Sequence, residues 1–346
     1  MIGSSRAGRT AVCLALLAGV AACSGQAKHA AGTPSTTPAT GASSLRSTAT
    51  PTTVPVNPFT GLAPLPAGPV IAVKVDDTEG GRPQRGIDLA DVVYVEQAEG
   101  GLTRLLAIFA TDKPDVEAVR STRASDPELV AQYGAIDYVA SGGAPNPLAV
   151  LDASPLHSDI NDRGGPGLTR DDNRNEPYNV VADLAQISTL IKGSGAKNIG
   201  LAFSASAAAY AADPVATTIR TTVGATGVGF DWNAATGRYV REIDGVPQTA
   251  SDGRPIATPN VVVQFCSVTP YPQDVDVNGN PSQYTHTIGS GQAVIFRNGR
   301  RIQGTWSRPS AGAGTTFTAT NGRRITLAPG GEWVVLVSTG AALTSS

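Results

Sequence analysis

Two short runs contain the side chains of this chain best suited to binding an anion. Glu99-Gly100-Gly101-Leu102-Thr103-Arg104 carries a carboxylate and a guanidinium on either side of two glycines, and Arg120-Ser121-Thr122-Arg123 carries two guanidiniums around a hydroxyl. The planar fork of arginine matches a carboxylate or a phosphate. The predicted ligand-binding candidates are Arg104, Arg120, Arg123, Glu99 and Ser121. The alternative is that these arginines only pair with the many acids around them.

A hairpin must position the first run. Two β-rich stretches meet at Gly100-Gly101, and adjacent glycines are a strong turn signal. If the loop contains only these glycines, Gln97 lies opposite Arg104, and Glu99 and Arg104 share one face as an ion pair. Glu96 then points to the other face, so Glu96 and Glu99 are not expected to form a catalytic carboxylate pair.

A helix must position the second run. Ser125 followed by Glu128 is a capping-box pattern, and it predicts a helix that extends to about Tyr133. The N-terminus of such a helix would add unpaired amide donors beside Arg120 and Arg123.

Catalytic motifs are scarce in this chain. It has no Walker loop, no nucleophile elbow and no zinc-protease motif. A nucleophilic pair of Cys266 and His286 is weighed against a core role for Cys266, which follows the apolar run Val261–Phe265 and is therefore better explained by packing. Binding is predicted rather than catalysis, with no cofactor. The alternative is a cell-wall hydrolase or transferase that uses Glu99, Asp76 or Asp77 as acid or base.

One segment resembles half of a calcium loop. Asp274, Asp276, Asn278 and Gly279 occupy the first ligand positions and the turn position of such a loop. Thr285 stands where a bidentate glutamate is needed, and Asn278-Gly279 is also a hairpin signal. No metal site is therefore predicted.

The N-terminus predicts export and lipid attachment. Arg6 and Arg9 precede an apolar run that ends in Val20-Ala21-Ala22-Cys23, the order of a signal peptide over residues 1–22. This ending resembles a bacterial lipobox, so Cys23 is the predicted lipid attachment site. Residues 23–56 are rich in Thr, Ser, Pro and Ala, which predicts a disordered tether. We expect the protein on the extracytoplasmic face of the bacterial cell membrane.

The remaining chain predicts an α+β protein with two domains. Residues 57–195 contain 20 acids and 11 bases and mix strand and helix patterns. Residues 196–346 contain 8 acids and 11 bases, with repeated Asp-Gly and Asn-Gly turns between β-rich runs. We predict a mixed α/β domain over residues 57–200 and a smaller, mostly antiparallel β domain over residues 215–340.

A basic stretch in the second half suggests anionic partners. Residues 277–331 contain no acid. The arginines of this stretch are Arg297, Arg300, Arg301, Arg308, Arg323 and Arg324. Such a surface on an anchored envelope protein favours an anionic cell-wall polymer, lipid headgroups or envelope proteins. Nucleic acid is not expected at this location.

The order of several short motifs resembles the YerB-type lipoprotein family. The motifs are Asn57-Pro58-Phe59-Thr60-Gly61, Arg82-Pro83-Gln84-x-Gly86-Ile87, Ala90-Asp91-Val92-Val93-Tyr94-x-Glu96, Glu99-Gly100-Gly101-x-Thr103-Arg104, Val119-Arg120-Ser121-x-Arg123, Ser141-Gly142-Gly143, Tyr239-x-Arg241, Asn260-Val261-Val262-Val263, Gly289-x-Gly291 and Gly330-x-x-Trp333. The chain departs from the family at Pro177-Tyr178-Asn179, where the family has Pro-His-Asn. The resemblance implies a two-domain bacterial lipoprotein without an assigned activity.

Overall fold

A mixed sheet of 11 strands runs through the part of the chain that the computed structural model describes, residues 54–346. The predictions for the signal peptide, for Cys23 and for most of the tether lie outside the described residues. Within residues 54–346, no helix has the length and apolar character needed to cross a bilayer.

The described residues contain 20 strands and three short α-helices. The strands before residue 200 are β1 (Ile71–Asp76), β2 (Val92–Gln97), β3 (Thr103–Phe109), β4 (Asp115–Glu117), β5 (Asp137–Ala140), β6 (His157–Ile160), β7 (Leu168–Arg170) and β8 (Val180–Asp183). The later strands are β9 (Thr218–Val223), β10 (Thr226–Asn233), β11 (Arg238–Ile243), β12 (Val246–Pro247), β13 (Ala257–Thr258), β14 (Asn260–Val275), β15 (Pro281–His286), β16 (Gly289–Arg297), β17 (Arg300–Arg308), β18 (Thr316–Ala319), β19 (Glu332–Ser338) and β20 (Leu343–Ser345). The helices are α1 (Asp126–Val130), α2 (Pro145–Asp152) and α3 (Leu184–Leu190).

The order of the large sheet places strands from both halves of the chain side by side. It is β18-β17-β16-β14-β19-β2-β3-β1-β5-β6, with β15 paired to β14. Strand β19 runs parallel to both β14 and β2, and β1, β5 and β6 run parallel to one another. Since β3 is antiparallel to both β1 and β2, the six strands β1, β2, β5, β6, β14 and β19 all end at the same edge of the sheet.

Both faces of the central strands of this sheet, such as β1, β3 and β19, are buried, which explains their uninterrupted apolar runs. One face packs against α1 and α2. The other face packs against a six-stranded sheet of order β12-β11-β10-β9-β20, to which β13 is added, and against the three-stranded sheet β4-β8-β7. In strand β1, Ala72 belongs to the first core and Val73 to the second, as the two-residue period of a strand requires.

The predicted α+β class is confirmed, with few helices and a C-terminal half built from antiparallel hairpins. The boundary predicted near residues 200–215 stays a prediction. The structure adds that strands from both sides of that boundary share the large sheet, and that the described residues form one compact unit.

Two hairpin predictions are confirmed at the level of backbone conformation. Strands β16 and β17 are joined by Asn298-Gly299, with φ of 52° and 68°. Strands β11 and β12 are joined by Asp244-Gly245, with φ of 49° and 78°. Positive φ at both central residues matches the right-handed twist of the flanking strands.

Two helix predictions need correction. Asn179, followed by Val180, Leu184, Ile187 and Ile191 at helical spacing, predicts a helix that begins there. The helix begins later, because Val180–Asp183 forms strand β8, and the Asp183 side chain caps α3 by accepting a hydrogen bond from the Gln186 amide. Ser125 lies at the N-cap of α1 but makes no capping hydrogen bond with its side chain.

Candidate functional site

The sequence-predicted arginines collect at the edge where the parallel strands end. Strand β1 ends at Asp76, and the antiparallel β3 begins beside it, so Arg104 lies opposite Asp76. The segment around Arg120 is inserted between the ends of β1 and β5. The Arg120 amide donates to the Lys74 carbonyl at 2.8 Å, and the Ser141 amide donates to the Arg120 carbonyl at 3.0 Å. Backbone pairing thus brings Arg104 and Arg120 to one carboxylate.

Asp76 is the centre of this arrangement and is fully buried. Its Oδ2 accepts a hydrogen bond from Arg120 Nε at 2.9 Å and lies 3.4 Å from Arg104 Nη1. Its Oδ1 accepts from the amide and the hydroxyl of Thr78, at 2.7 and 2.5 Å. A Cβ on Gly81 would lie 2.5 Å from Asp76 Oδ1, so the chain can close over the carboxylate only with a glycine at that position.

The two arginines keep donors that protein groups do not use. Arg104 Nε is buried and has no hydrogen-bond partner among the described residues. For Arg120, the hydrogen bond to Asp76 uses Nε, the guanidinium lies 5.5 Å from the centre of the Tyr178 ring, and the side chain remains 20% exposed. Two guanidiniums therefore share the Asp76 carboxylate.

The pKa of Arg104 reflects its burial and the charges close to it. Burial lowers the pKa of Arg104, Asp76 opposes that effect, and the charges of Arg123 and Arg120 lower it further. A bound anion would offset both the burial and the repulsion between the arginines.

Arg123 has a different role from Arg104 and Arg120. It pairs with Glu99 through both Nε and Nη2, the latter at 2.6 Å, and its Nη1 donates to the carbonyls of Ser121 and Thr122, both at 3.0 Å. Its groups are thus engaged with the protein. Arg123 connects the β2–β3 loop to the loop that precedes α1.

Glu99 is an ionised partner and not a proton donor. Burial alone would raise its pKa, but the hydrogen bonds and the charge of Arg123 outweigh burial and bring the pKa of Glu99 to about 2. The Ser282 hydroxyl of β15 also donates to Glu99, and Ser282 lies 2.6 Å from Asp274. The long β14–β15 hairpin therefore contacts the edge that carries the arginines.

The predicted Glu99–Arg104 pair is wrong because the hairpin register differs by one residue. Glu96 lies opposite Arg104 and Gln97 opposite Thr103, since the loop contains Glu99 as well as the two glycines. A shift of one residue moves every side chain of a strand to the other face. Glu96 consequently shares the face of Arg104, and Glu99 is free to pair with Arg123.

Beside this site lies a buried lysine, Lys74, that no sequence motif singles out. Lys74 is 1% exposed and lies between Asp126 Oδ1 at 2.7 Å and Glu96 Oε1 at 3.2 Å. Burial and the charge of Asp126 raise the pKa of Glu96 to about 7, although the charge of Lys74 lowers it. The sequence does indicate a buried ion pair here, because a lysine within the apolar run Val70–Val75 must find a partner when that strand is buried.

Asp77 points to the opposite face from Asp76 and does not face the arginines. Its Oδ2 accepts hydrogen bonds from Arg241 Nη2 and from the Thr103 hydroxyl, both at 2.7 Å. Asp77 and Arg241 are both inaccessible to solvent. This pair links β1 to β11 in the six-stranded sheet.

The basic stretch of the second half is only partly a surface, which corrects the sequence expectation. Arg297 and Arg308 are fully buried. Arg297 donates to the carbonyls of Thr326 and Ser204, both at 2.8 Å, and Arg308 donates to the carbonyl of Glu128 at 2.5 Å. They satisfy backbone carbonyls in the interior and are not available to an external anion.

The remaining motifs have structural explanations. Cys266 is buried in the core, as favoured, and burial raises the pKa of its thiol to about 12, although a hydrogen bond from Gln264 lowers it. The Asp276 carboxylate accepts from the amides of Asn278 and Asn280, both at 2.8 Å, and so shapes the β14–β15 turn. No group of three or more metal-ligating side chains occurs within residues 54–346.

Comparison with known proteins identifies relatives across most of the chain. The N-terminal domain model of the protein family of unknown function DUF3048 matches residues 59–197, and its C-terminal domain model matches residues 217–334. YerB of Bacillus subtilis (strain 168), whose name provisionally classes it as a lipoprotein, is 26% identical over 278 residues, which is 77% of this chain and 80% of YerB.

A solved structure shows the same fold. The crystal structure of the YerB protein from Bacillus subtilis superposes with a TM-score of 0.70 at 22% sequence identity, over 84% of this chain and 99% of that one. The chain belongs to the YerB-type two-domain family.

Proposed function

We propose that this member of the YerB-type family is a binding lipoprotein of the bacterial envelope. It is anchored through Cys23 on the extracytoplasmic face of the cell membrane, and it binds an anionic group through Arg104 and Arg120. The anion belongs to a cell-wall polymer or to an envelope protein. The lipoprotein designation of the Bacillus relative and the lipobox pattern that ends at Cys23 support the anchor.

One observation carries the binding role: Arg104 and Arg120 share the Asp76 carboxylate and retain unused donors. Arg104 Nε is buried without a partner among the described residues, and the terminal nitrogens of Arg120 make no hydrogen bond within residues 54–346. A guanidinium binds a carboxylate or a phosphate through two parallel N–H groups. Tyr178, beside Arg120, adds an apolar wall that would shield the contact from water.

Titration calorimetry of the full chain with inorganic phosphate and with acetate tests this proposal. Arg120→Gln should weaken anion binding at least tenfold, which corresponds to about 1.4 kcal/mol. Arg254→Gln is the matched control, because Arg254 is 55% exposed and pairs with Asp252 and Asp88, not with Asp76. Wild-type protein that binds neither anion, or equal binding by the two variants, contradicts the proposal.

A second candidate function, a cell-wall hydrolase or transferase, is favoured by a different carboxyl group. Glu99 does not suit an acid catalyst because its pKa is lowered. Glu332 is 3% exposed, its Oε2 has no partner among the described residues, and it lines a cavity of about 540 Å³ that also contains Asp91 and Trp333. Burial and the nearby Asp91 raise the pKa of Glu332 well above its usual range.

A carboxyl group with a raised pKa beside a second carboxyl group is an arrangement that general acid catalysis uses. Asp91 accepts hydrogen bonds from the amides of Ala110 and Thr111, at 2.6 and 2.9 Å, as expected for a carboxylate. The test is release of soluble fragments from purified cell walls by the wild type and by Glu332→Gln. Absence of release by the wild type excludes this candidate, and equal release by the two proteins excludes the role of Glu332.

A further inference from the structure

Two buried carboxylates on the neighbouring strands β5 and β6 have no hydrogen-bond partner. Asp137 is 0% exposed and Asp159 is 2% exposed. Neither Oδ1 nor Oδ2 of either residue has a partner among the described residues, and no other carboxylate in that part of the chain has both oxygens fully buried and without a partner. A buried polar group normally finds a partner, and the free-energy penalty is largest for a charged group.

The two carboxylates point to the same face of the large sheet. Strands β5 and β6 are parallel, with His157 opposite Asp137 and Asp159 opposite Val139. With strands ~4.8 Å apart and a rise of ~3.3 Å per residue, this diagonal places the two Cβ atoms roughly 8 Å apart. One small cation between them can contact both carboxylates.

The surrounding backbone fixes both carboxylates. A Cβ on Gly165 would lie 1.8 Å from Asp159 Oδ1, and a Cβ on Gly193 would lie 2.6 Å from Asp137 Oδ1. The chain therefore packs directly against both groups at glycine positions. These backbone contacts limit the positions that the two carboxylates can adopt.

A solvent-filled cleft reaches one member of this pair, Asp159. It has a volume of about 630 Å³, and Asp159 forms part of its wall. The other lining side chains include His157, Arg163 and Lys192. Arg163 is paired with Asp152 through two hydrogen bonds of 2.7 and 2.9 Å, so it does not neutralise Asp159.

From this arrangement we infer a binding site for a primary ammonium group, held between Asp137 and Asp159, with the remainder of the ligand in the cleft. An ammonium group has three donors and needs only a few acceptors, which four carboxylate oxygens provide. A calcium ion requires six to eight oxygens and a zinc ion about four ligands. No group of three metal-ligating side chains exists within residues 54–346, so the ammonium group fits better than a metal ion.

The charges around the pair agree with this assignment. Burial raises the pKa of Asp137 to about 6, although His157 and Lys113 lower it. Burial and the charge of Asp137 raise the pKa of Asp159 to about 6. A bound ammonium group would supply the hydrogen bonds that both carboxylates lack and would offset the burial that raises their pKa values.

Ligand-observed NMR with propylamine, at constant ionic strength and pH 7, tests the inference on the full chain. Propylamine should bind saturably to the wild type, and 1-propanol, its neutral counterpart, should not bind. Asp159→Asn should weaken propylamine binding at least tenfold. Asp172→Asn is the matched control, because it removes the same charge from an exposed loop, and it should leave binding unchanged.

Asp137→Asn provides a second variant if Asp159→Asn does not fold, and thermal melts establish which variants are folded. No saturable propylamine binding, or equal binding by wild type and a folded Asp variant, overturns the inference. Titration with calcium chloride is the third arm. Calcium binding that depends on Asp159, without amine binding, overturns the ammonium assignment in favour of a metal ion.

Discussion

Asp77, which follows β1, and Arg241 of β11 form an ion pair of 2.7 Å in which both side chains are fully buried. The pair connects the segment that matches the N-terminal family model to the segment that matches the C-terminal one. The Arg241 guanidinium also lies 4.8 Å from the centre of the Trp333 ring. Charge pairing and packing are therefore combined at the contact between the large sheet and the six-stranded sheet.

Breaking this pair should strongly destabilise the protein. Asp77→Asn leaves the Arg241 charge buried without compensation, and the expected loss in the free energy of unfolding is about 3–5 kcal/mol. Urea denaturation of the full chain measures it. Asp252→Asn, which breaks an exposed pair with Arg254, should cost less than about 1 kcal/mol. Equal losses for the two variants would show that the buried pair contributes no more to stability than an exposed pair does.

The arginines of the candidate site should separate into two classes in thermal melts. Arg123→Gln should lower the unfolding free energy by about 3–5 kcal/mol, because it leaves Glu99 buried without its partner. Arg120→Gln should cost less, since Arg104 and Thr78 still contact Asp76, while abolishing any rise in melting temperature caused by phosphate. A large loss for Arg104→Gln, Arg120→Gln and Arg123→Gln alike, with no effect of phosphate on the wild type, would contradict the division.

Acid should remove the contribution of Glu99 to stability. The folded-state pKa of about 2 lies below the unfolded value of about 4.5, so the folded state binds fewer protons. The stabilisation is present above pH 4.5 and disappears as the pH falls toward 2, with an order of magnitude of about 2 kcal/mol. Glu99→Gln should therefore flatten the stability profile between pH 5 and 2. A profile parallel to that of the wild type would refute the prediction.

Lipid attachment should depend on a single side chain. Cys23→Ala should release the protein from membranes into the soluble fraction while the thermal melt of the protein stays unchanged, because the substitution precedes the segment 59–337 that supplies the buried apolar residues of residues 54–346. Cell fractionation measures the release, and the size of the chain verifies that the precursor has been processed. Cys266→Ala is the control, since its thiol is buried in the core, and it should remain with the membrane.

Much of the local architecture follows from the sequence, because it depends on short-range patterns. Asn298-Gly299 and Asp244-Gly245 specify tight hairpins through backbone conformation alone. Apolar runs such as Asn260–Phe265 lie in strands that are buried on both faces. The core position of Cys266 follows from its place at the end of such a run.

The contacts of the candidate site are harder to predict, because they depend on long-range pairing. Two glycines in succession permit loops of different length, and the choice of the longer loop decides whether Glu99 pairs with Arg104 or with Arg123. The partners of Arg297 and Arg308 are carbonyls far away in the sequence. A basic composition therefore cannot distinguish a buried arginine from an exposed one.

The position of β19 constrains the order in which the large sheet can form during folding. This strand, Glu332–Ser338, lies in the middle of the large sheet between β14 and β2, although it is among the last residues of the chain. Until β19 has paired with β2, the edge of β2 is open and can pair with a strand of another chain. The first half therefore cannot reach its final state ahead of the second, and a chain that stops near residue 330 should aggregate instead of folding as a smaller protein.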